Sequence, residues 1–144
     1  MYSEDVNSAV DIAWAELRAL ARDAATRSYA PYSNVTVGAS AQRDDGATMV
    51  GSNVENASYG LTLCAECSLV SDLIRQGGGR LVAVSIVAGD GLPIAPCGRC
   101  RQLLFEHGGA TLLIDAGDGV APLTLGELLP RAFGPEDLGI RRNK

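Results

Sequence analysis

Two Cys-x-x-Cys pairs constrain this chain more than any other feature of its sequence. The first pair is Cys64 and Cys67, the second is Cys97 and Cys100, and 29 residues lie between the pairs. Two such pairs in a chain that begins without a secretory signal indicate a metal site, and thiolate ligands favour zinc. The sequence therefore predicts a zinc-binding protein, with redox-active or simply buried thiols as the alternative.

The spacing of the pairs bears on whether the zinc is structural or catalytic. Four-cysteine zinc ribbons usually have a gap of about 15–20 residues, whereas the gap here holds a predicted helix and a predicted strand. Both pairs also lie where a helix begins, and the free N–H groups of a helix N-terminus stabilise thiolates. Glu66, inside the first pair, is either a solvated first-turn carboxylate or a general acid and base beside a zinc-activated water.

Length and charge limit the classes of partner. The 144 residues fit one domain over residues 1–144, and the formal net charge is −5. An acidic chain without a basic run is a poor binder of phosphate backbones, so we expect a small-molecule substrate and no nucleic acid. The longest apolar run, Leu81–Gly89, is too short to span a bilayer. The sequence thus predicts a cytoplasmic protein that binds no membrane.

The spacing of apolar residues predicts an α/β order of elements. A first helix of about twenty residues, running from Val6 to Ala24, is followed by a strand hairpin that turns at Asp44-Asp45-Gly46. The other predicted elements are strands over Val35–Arg43, Thr48–Glu55, Leu81–Ala88 and Thr111–Ile114, and helices over Cys64–Gln76 and Gly98–His107. Thr124 and Glu127 have the spacing of a capping box before a last short helix. This order predicts a mixed sheet with helices on its faces.

Longer segments around both cysteine pairs carry a family resemblance. Residues 51–66 read GSNVENASYGLTLCAE and residues 96–102 read PCGRCRQ. Zinc deaminases of nucleobases have His or Cys, then x-Glu, then Pro-Cys-x-x-Cys, which is the pattern of these two segments. Residues 29–33 and 126–133 also match, so the resemblance covers nearly the whole chain. On these residues the chain resembles the small zinc-dependent cytidine deaminases of pyrimidine salvage, in their actinobacterial, mycobacterial-like form.

The resemblance implies a fold, a cofactor and a reaction. The fold would be a three-layer α/β/α arrangement with a mixed sheet of about five strands, assembled as a homotetramer with one zinc per subunit. Cys64, Cys97 and Cys100 would hold the metal and leave one position for water. Glu66 would shuttle protons while cytidine or deoxycytidine becomes uridine or deoxyuridine and ammonia is released.

Candidate substrate contacts come from both the residues and the resemblance. Asn53 and Glu55 are two apart on a predicted strand, so their side chains point to one face, and an amide beside a carboxylate suits sugar hydroxyls. The resemblance implies that the ribose binds there and that the Ala65 backbone meets the pyrimidine edge. It also implies three further contacts, the last from a neighbouring subunit: Val35, Tyr59 and Phe133.

Two positions depart from the family pattern. Many members have an aromatic residue at the position of Val35, so ring stacking would be lost here. Many also have Arg at the position of Cys67. Its positive charge would neutralise the net negative charge of a zinc dication held by three thiolates. Arg99 and Arg101 are candidate substitutes for that charge.

Other functions are compatible with parts of the sequence. A deaminase acting on a nucleoside-like antibiotic can share the Cys-Gly-Arg-Cys-Arg-Gln segment, although the Asn-Val-Glu-Asn segment favours a plain ribose. A non-catalytic four-cysteine zinc module for protein interaction is the alternative from another class. A polynucleotide deaminase is disfavoured, because the chain has no basic, aromatic-rich path for a strand.

Overall fold

The computed structural model describes residues 10–139, and its elements follow the predicted order. The helices are α1 (Trp14–Thr26), α2 (Ala65–Arg75), α3 (Gly98–Gly108) and α4 (Leu125–Leu128). The strands are β1 (Val37–Arg43), β2 (Thr48–Ser52), β3 (Leu81–Ala88), β4 (Leu113–Ile114) and β5 (Leu123–Thr124). Two short 3₁₀ helices cover Tyr59–Leu61 and Pro135–Leu138. Within residues 10–139 no helix combines the length and the apolar character needed to cross a bilayer.

The five strands form one mixed sheet in the order β2-β1-β3-β4-β5. Strands β3 and β4 are parallel, and the other neighbours are antiparallel. The parallel pair is joined by α3, because parallel strands need a long crossover rather than a tight turn. The β1–β2 hairpin turns at the predicted place, where Gly46 has φ +88°. The prediction of a mixed sheet of about five strands is confirmed.

Helices cover both faces of the sheet, and the alternating side chains of β1 show which helix packs on which face. The Ser40 hydroxyl donates to the Leu17 carbonyl of α1 at 2.5 Å, while Ala39 and Ala41 belong to the apolar core that contains Leu69 of α2. Successive side chains of a strand point to opposite faces, so α1 and α2 lie on opposite sides of the sheet. The arrangement is the predicted three-layer α/β/α fold.

Two glycines allow the helices to lie directly on the sheet. A Cβ at Gly38 would collide with the Ala21 carbonyl of α1, and a Cβ at Gly51 would collide with the Ala65 carbonyl of α2. Because glycine has no side chain, the first turn of α2 rests on the backbone of β2. This close approach sets the position of the cysteine and glutamate at the start of α2.

The first helix is shorter than predicted. Helix α1 begins at Trp14, residues 10–13 are not helical, and Val6 lies outside the described residues. The side-chain amide of Gln42 in β1 accepts from the Ala13 N–H at 3.0 Å and donates to the Asp11 carbonyl at 2.7 Å. The buried Gln42 amide thus forms hydrogen bonds with the backbone of the segment before α1, and these bonds compete with an additional helical turn.

The predicted hairpin strands are also shorter than expected, for a related reason. Strand β1 begins at Val37 rather than Val35, and β2 ends at Ser52 rather than Glu55. The Asn53 side chain accepts from the Val37 N–H and donates to the Val35 carbonyl, each at 2.8 Å. Side-chain hydrogen bonds therefore replace the strand ladder at this end of the hairpin.

The end of the chain contains one confirmed and one unpredicted element. The Thr124 hydroxyl accepts from the Glu127 N–H at 3.3 Å, and the Glu127 carboxylate accepts from the Thr124 N–H at 2.7 Å, which confirms the capping box. Strand β5 was not predicted, because two residues are too few to show alternation.

Candidate active site

Three cysteine thiols meet where α2 and α3 begin. Cys64 is the N-cap of α2, Cys97 is the N-cap of α3, and Cys100 lies in the first turn of α3. Their sulfur atoms all lie within 4.8 Å of one another, and those of Cys64 and Cys97 are 3.9 Å apart. Tetrahedral zinc with Zn–S bonds of about 2.3 Å requires sulfur separations of about 3.8 Å. The arrangement therefore fits zinc, and three ligands leave one position for water or substrate.

The fourth cysteine lies outside this thiol cluster. The Cys67 N–H donates to the Cys64 carbonyl at 3.0 Å, so Cys67 is part of the first turn of α2. Its sulfur is 3.5 Å from the Arg99 guanidinium, which also donates to the Thr62 carbonyl at 3.1 Å. In the part of the chain described, the sulfur atoms close enough to share one ion are those of the other three cysteines.

Only one of the two candidate arginines approaches a sulfur atom. The pKa of Arg99 is raised, first by its hydrogen bond to Cys67 and then by the negative charge of the surrounding cysteine sulfurs. Arg101 instead donates to the carbonyls of Pro96 at 2.8 Å and Leu128 at 2.9 Å. Arg101 therefore holds the backbone before α3, whereas Arg99 places a positive charge beside the thiol cluster.

Burial and mutual contact shift the cysteine pKa values in different directions. Burial raises the pKa of Cys100, and the negative charge of Glu66 raises it further. Burial also raises the pKa of Cys64. For Cys97 the effect of burial is outweighed by hydrogen bonds from the Cys100 backbone N–H and from the neighbouring thiols, so its pKa is lowered. Zinc binds thiolates, so the metal must displace the protons that these environments retain.

Glu66 is a buried carboxylate beside the thiol cluster. It lies in the first turn of α2, its exposure is 4%, and no hydrogen bond or ion pair within residues 10–139 uses its carboxylate. The interpretation as a solvated first-turn residue is therefore wrong. A buried carboxylate without a protein partner is available to exchange protons with a ligand.

The Glu66 carboxylate borders a cavity of ≈ 190 Å³ that we call the catalytic cavity. Its wall includes Asn53 and Ala65 as well as two of the clustered cysteines, Cys64 and Cys97. Sequence reasoning missed the other residues of this wall: Val37, Thr62, Leu63, Ile94 and Ala95. Four of them lie within three residues before a cysteine pair, and that closeness in sequence is the signal available to find them.

The Asn53 side chain is 8% exposed and is largely committed to the protein. Its carbonyl oxygen accepts from the Val37 N–H and from the Ser28 hydroxyl, and its amide donates to the Val35 carbonyl. An asparagine amide has two donors and its oxygen has two lone pairs. One N–H of Asn53 is therefore left for a ligand.

Glu55 is held by the segment before β1. One carboxylate oxygen accepts from the N–H groups of Tyr32 at 3.0 Å and Ser33 at 3.1 Å, and the other accepts from the Ser33 hydroxyl at 2.5 Å. The pKa of Glu55 is lowered, first by the Ser33 hydroxyl hydrogen bond. Burial acts in the opposite direction, and the N–H groups of Ser33 and Tyr32 lower the pKa further. Glu55 is therefore an ionised acceptor near neutral pH.

A second cavity, of ≈ 220 Å³, adjoins the catalytic cavity, because Thr62 lines both of them. Its other lining residues are Tyr32, Ser33, Glu55, Asn56 and Tyr59. Tyr59 is 75% exposed and meets the Tyr32 ring edge to face, with the ring centroids 6.0 Å apart. The structure thus brings Tyr59 and Glu55 to one cavity and Asn53 and Ala65 to its neighbour.

Two predicted substrate contacts lie outside both cavities in the described chain. Val35 is exposed, and its backbone rather than its side chain meets Asn53. Phe133 is 57% exposed, and its carbonyl accepts from the Gln102 side chain at 2.8 Å. Neither side chain lines the cavities described above.

Comparison with known proteins identifies the family that this pattern of residues indicates. Residues 14–115 match the family model of the cytidine and deoxycytidylate deaminase zinc-binding region. The chain is 56% identical to the cytidine deaminase of Mycobacterium tuberculosis over 128 residues, which is 89% of this chain and 95% of that protein. It is 41% identical to the cytidine deaminase of Halalkalibacterium halodurans over 113 residues, or 76% and 86% of the two chains.

Solved structures agree with the sequence comparison. The crystal structure of the M. tuberculosis cytidine deaminase superposes with a TM-score of 0.82 at 56% identity, covering 86% of this chain and 99% of that one. The cytidine deaminase of Mycobacterium leprae gives a TM-score of 0.80 at 53% identity, covering 84% and 100%. The thiol cluster, the buried Glu66 and these matches together place this chain in the zinc-dependent cytidine deaminase family.

Proposed function

We propose that this chain hydrolyses cytidine and deoxycytidine to uridine and deoxyuridine, with release of ammonia, in pyrimidine salvage. The observation that carries the proposal is a buried carboxylate, Glu66, that has no partner in the described chain and lies beside three thiols arranged for zinc. One water is consumed and one ammonia leaves, so the reaction needs no redox partner.

The chemistry divides between the metal and the chain. When bound, zinc acts as a Lewis acid and lowers the pKa of a water that it binds to about 7. The Glu66 carboxylate accepts the proton that the attacking water loses and delivers it to the pyrimidine ring nitrogen. It then moves the second proton of the same water to the departing amino nitrogen, so that ammonia leaves while the ring nitrogen keeps the first proton. Ala65 is the first residue of α2, so its N–H has no intrahelical partner and can donate to the pyrimidine edge.

The free hydrogen-bonding capacity of two residues supports a sugar-binding role. Asn53 retains one N–H, and Glu55 retains acceptor capacity on the oxygen that accepts from the Ser33 hydroxyl. A sugar lying across the two neighbouring cavities can accept from the amide with one hydroxyl and donate to the carboxylate with another. Ribose and deoxyribose both carry two such hydroxyls, so the proposal includes both nucleosides.

The closed zinc module is disfavoured by the same site. A four-cysteine structural zinc needs Cys67 as a ligand, but its sulfur lies outside the thiol cluster and meets Arg99. A structural site also has no use for a buried carboxylate such as Glu66, whose burial beside anionic sulfurs is unfavourable.

Ammonia release tests the proposed reaction directly. We expect the zinc-loaded protein to release ammonia from cytidine and from deoxycytidine at comparable kcat/KM. Cytosine should react at least about 10²-fold more slowly, because it lacks the sugar whose binding contributes to the transition state. A zinc-loaded protein that releases ammonia from neither nucleoside would refute the proposal. Activity on a nucleoside antibiotic alone would support the related deaminase instead.

We also infer a homotetramer in the cytoplasm. The tetramer follows from the family resemblance and is supported by exposed apolar side chains, among them those of Tyr59, Leu61, Phe133 and Leu138. Such side chains are typical of surfaces that bury on assembly. The location is supported by the three thiols, because a thiolate zinc site needs a compartment that keeps cysteine reduced.

Replacement of Phe133 by alanine tests whether this ring completes a neighbour's site. We expect Phe133→Ala to raise KM for cytidine by about tenfold and to weaken the tetramer, since a buried aromatic anchor carries much of an interface's free energy. Sedimentation velocity and steady-state kinetics measure the two effects. Val120→Ala is the matched control, because Val120 is also 57% exposed but is not a predicted substrate contact. An unchanged tetramer with unchanged KM would assign Phe133 a packing role only.

A further inference from the structure

The Ser33 hydroxyl connects the backbone before β1 to the Glu55 carboxylate. It accepts from the Val35 N–H at 3.0 Å and donates to the carboxylate at 2.5 Å. A hydroxyl has one proton to donate, and the Val35 N–H occupies one of its lone pairs. The hydroxyl proton is therefore directed at Glu55.

This hydrogen bond completes a three-donor cradle around the carboxylate. The N–H groups of Tyr32 and Ser33 hold one oxygen of Glu55, and the Ser33 hydroxyl holds the other. Hydrogen bonds to an ionised carboxylate are shorter and stronger than those between neutral groups. With both oxygens held, the carboxylate has one orientation before any ligand arrives.

We propose that Ser33 is a positioning residue for sugar recognition, acting through Glu55. The proposal rests on the proposed role of Glu55 as a sugar ligand. Ser33 and Glu55 line the same cavity, next to the catalytic cavity. A carboxylate fixed in advance loses less side-chain entropy on binding than a mobile one, so the Ser33 hydroxyl raises the affinity for the nucleoside.

A purely structural role for Ser33 predicts a different result. In that case the hydroxyl would only hold the segment before β1, and its loss would add to the loss of Glu55. If Ser33 acts through Glu55, its loss has little effect once the carboxylate is absent. A double-mutant cycle separates these two cases.

The first measurement is the effect of the hydroxyl on binding. We expect Ser33→Ala to lower kcat/KM for cytidine by about 10–100-fold, mainly through KM, as expected for loss of a hydrogen bond to a charged group. Ser33→Thr keeps the hydroxyl and should remain within about threefold of the original protein. Ser33→Cys keeps the size but donates weakly, so it should fall between them. Unchanged kcat/KM in Ser33→Ala would overturn the proposal.

The second measurement is the cycle with Glu55→Ala. We expect Ser33→Ala to change kcat/KM by less than about threefold in the Glu55→Ala protein. An equally large effect in both backgrounds would overturn the positioning role and leave the sugar-binding role of Glu55 intact. If Glu55→Ala alone leaves kcat/KM unchanged, the sugar-binding role itself fails. If Ser33→Ala does not fold, the comparison of Ser33→Thr with Ser33→Cys decides the question.

Discussion

Glu66→Gln is expected to lower kcat for cytidine by about 10³-fold or more while the protein keeps its zinc and its fold. Glutamine matches the size of glutamate but cannot accept or return a proton at neutral pH. The Glu66 carboxylate has no hydrogen bond or ion pair within residues 10–139, so the exchange breaks none there and removes only its repulsion of the cysteine sulfurs. Steady-state kinetics, zinc analysis and thermal unfolding measure the three expectations.

The control for this prediction is another glutamate in the first turn of a helix. Glu16 lies in the first turn of α1 and is exposed to solvent. Glu16→Gln should leave kcat and KM unchanged, because α1 lies on the opposite face of the sheet from α2, which carries Glu66. A Glu66→Gln protein with full zinc that keeps a tenth of the original kcat would contradict the assignment of Glu66 as the proton carrier.

Cys64→Ser and Cys67→Ser are expected to give opposite results, although both replace one thiol of the same pair. Cys64→Ser should lose bound zinc and all measurable activity, because a serine hydroxyl is a poor replacement for a thiolate in binding zinc. Cys67→Ser should keep one zinc per chain and most of the activity. The Cys67 sulfur lies outside the thiol cluster, and its contact is with Arg99 at 3.5 Å.

Zinc analysis of the two purified proteins, together with ammonia release from cytidine, checks this contrast. Each variant serves as the control for the other, since the chemical change is identical. Loss of zinc from Cys67→Ser would make Cys67 a ligand and close the site, and it would remove the basis of the proposed hydrolysis. Retention of zinc in Cys64→Ser would overturn the ligand set.

Local patterns were enough to predict much of the fold. The apolar run Leu81–Ala88 is strand β3 with the predicted ends, because a fully buried strand needs an unbroken apolar sequence. Helices α2 and α3 begin within a residue of their predicted starts, where a Cys-x-x-Cys pair opens each one. The capping box depends only on two residues three apart, and it is present as predicted.

The elements that differ from prediction are those shaped by distant side chains. Gln42 in β1 takes the backbone groups of residues 11 and 13 and so shortens the first helix. Asn53 takes those of Val35 and Val37 and so shortens the hairpin strands. Apolar spacing reports which face of an element is buried, but it does not report which remote polar side chain competes for the backbone.

The same division holds at the site. The spacing of the two cysteine pairs, with Glu66 inside the first, is enough to predict zinc chemistry, because zinc deaminases have the same pattern. Spacing leaves open whether Cys67 is a ligand, since residues three apart on a helix are neighbours and both can reach one ion. The tertiary structure favours one answer. The relative placement of α2 and α3 brings Cys64, Cys97 and Cys100 together, while the sulfur of Cys67 lies beside Arg99. Spacing along the chain does not report this placement, because the position of one helix against another is set by packing across the whole sheet.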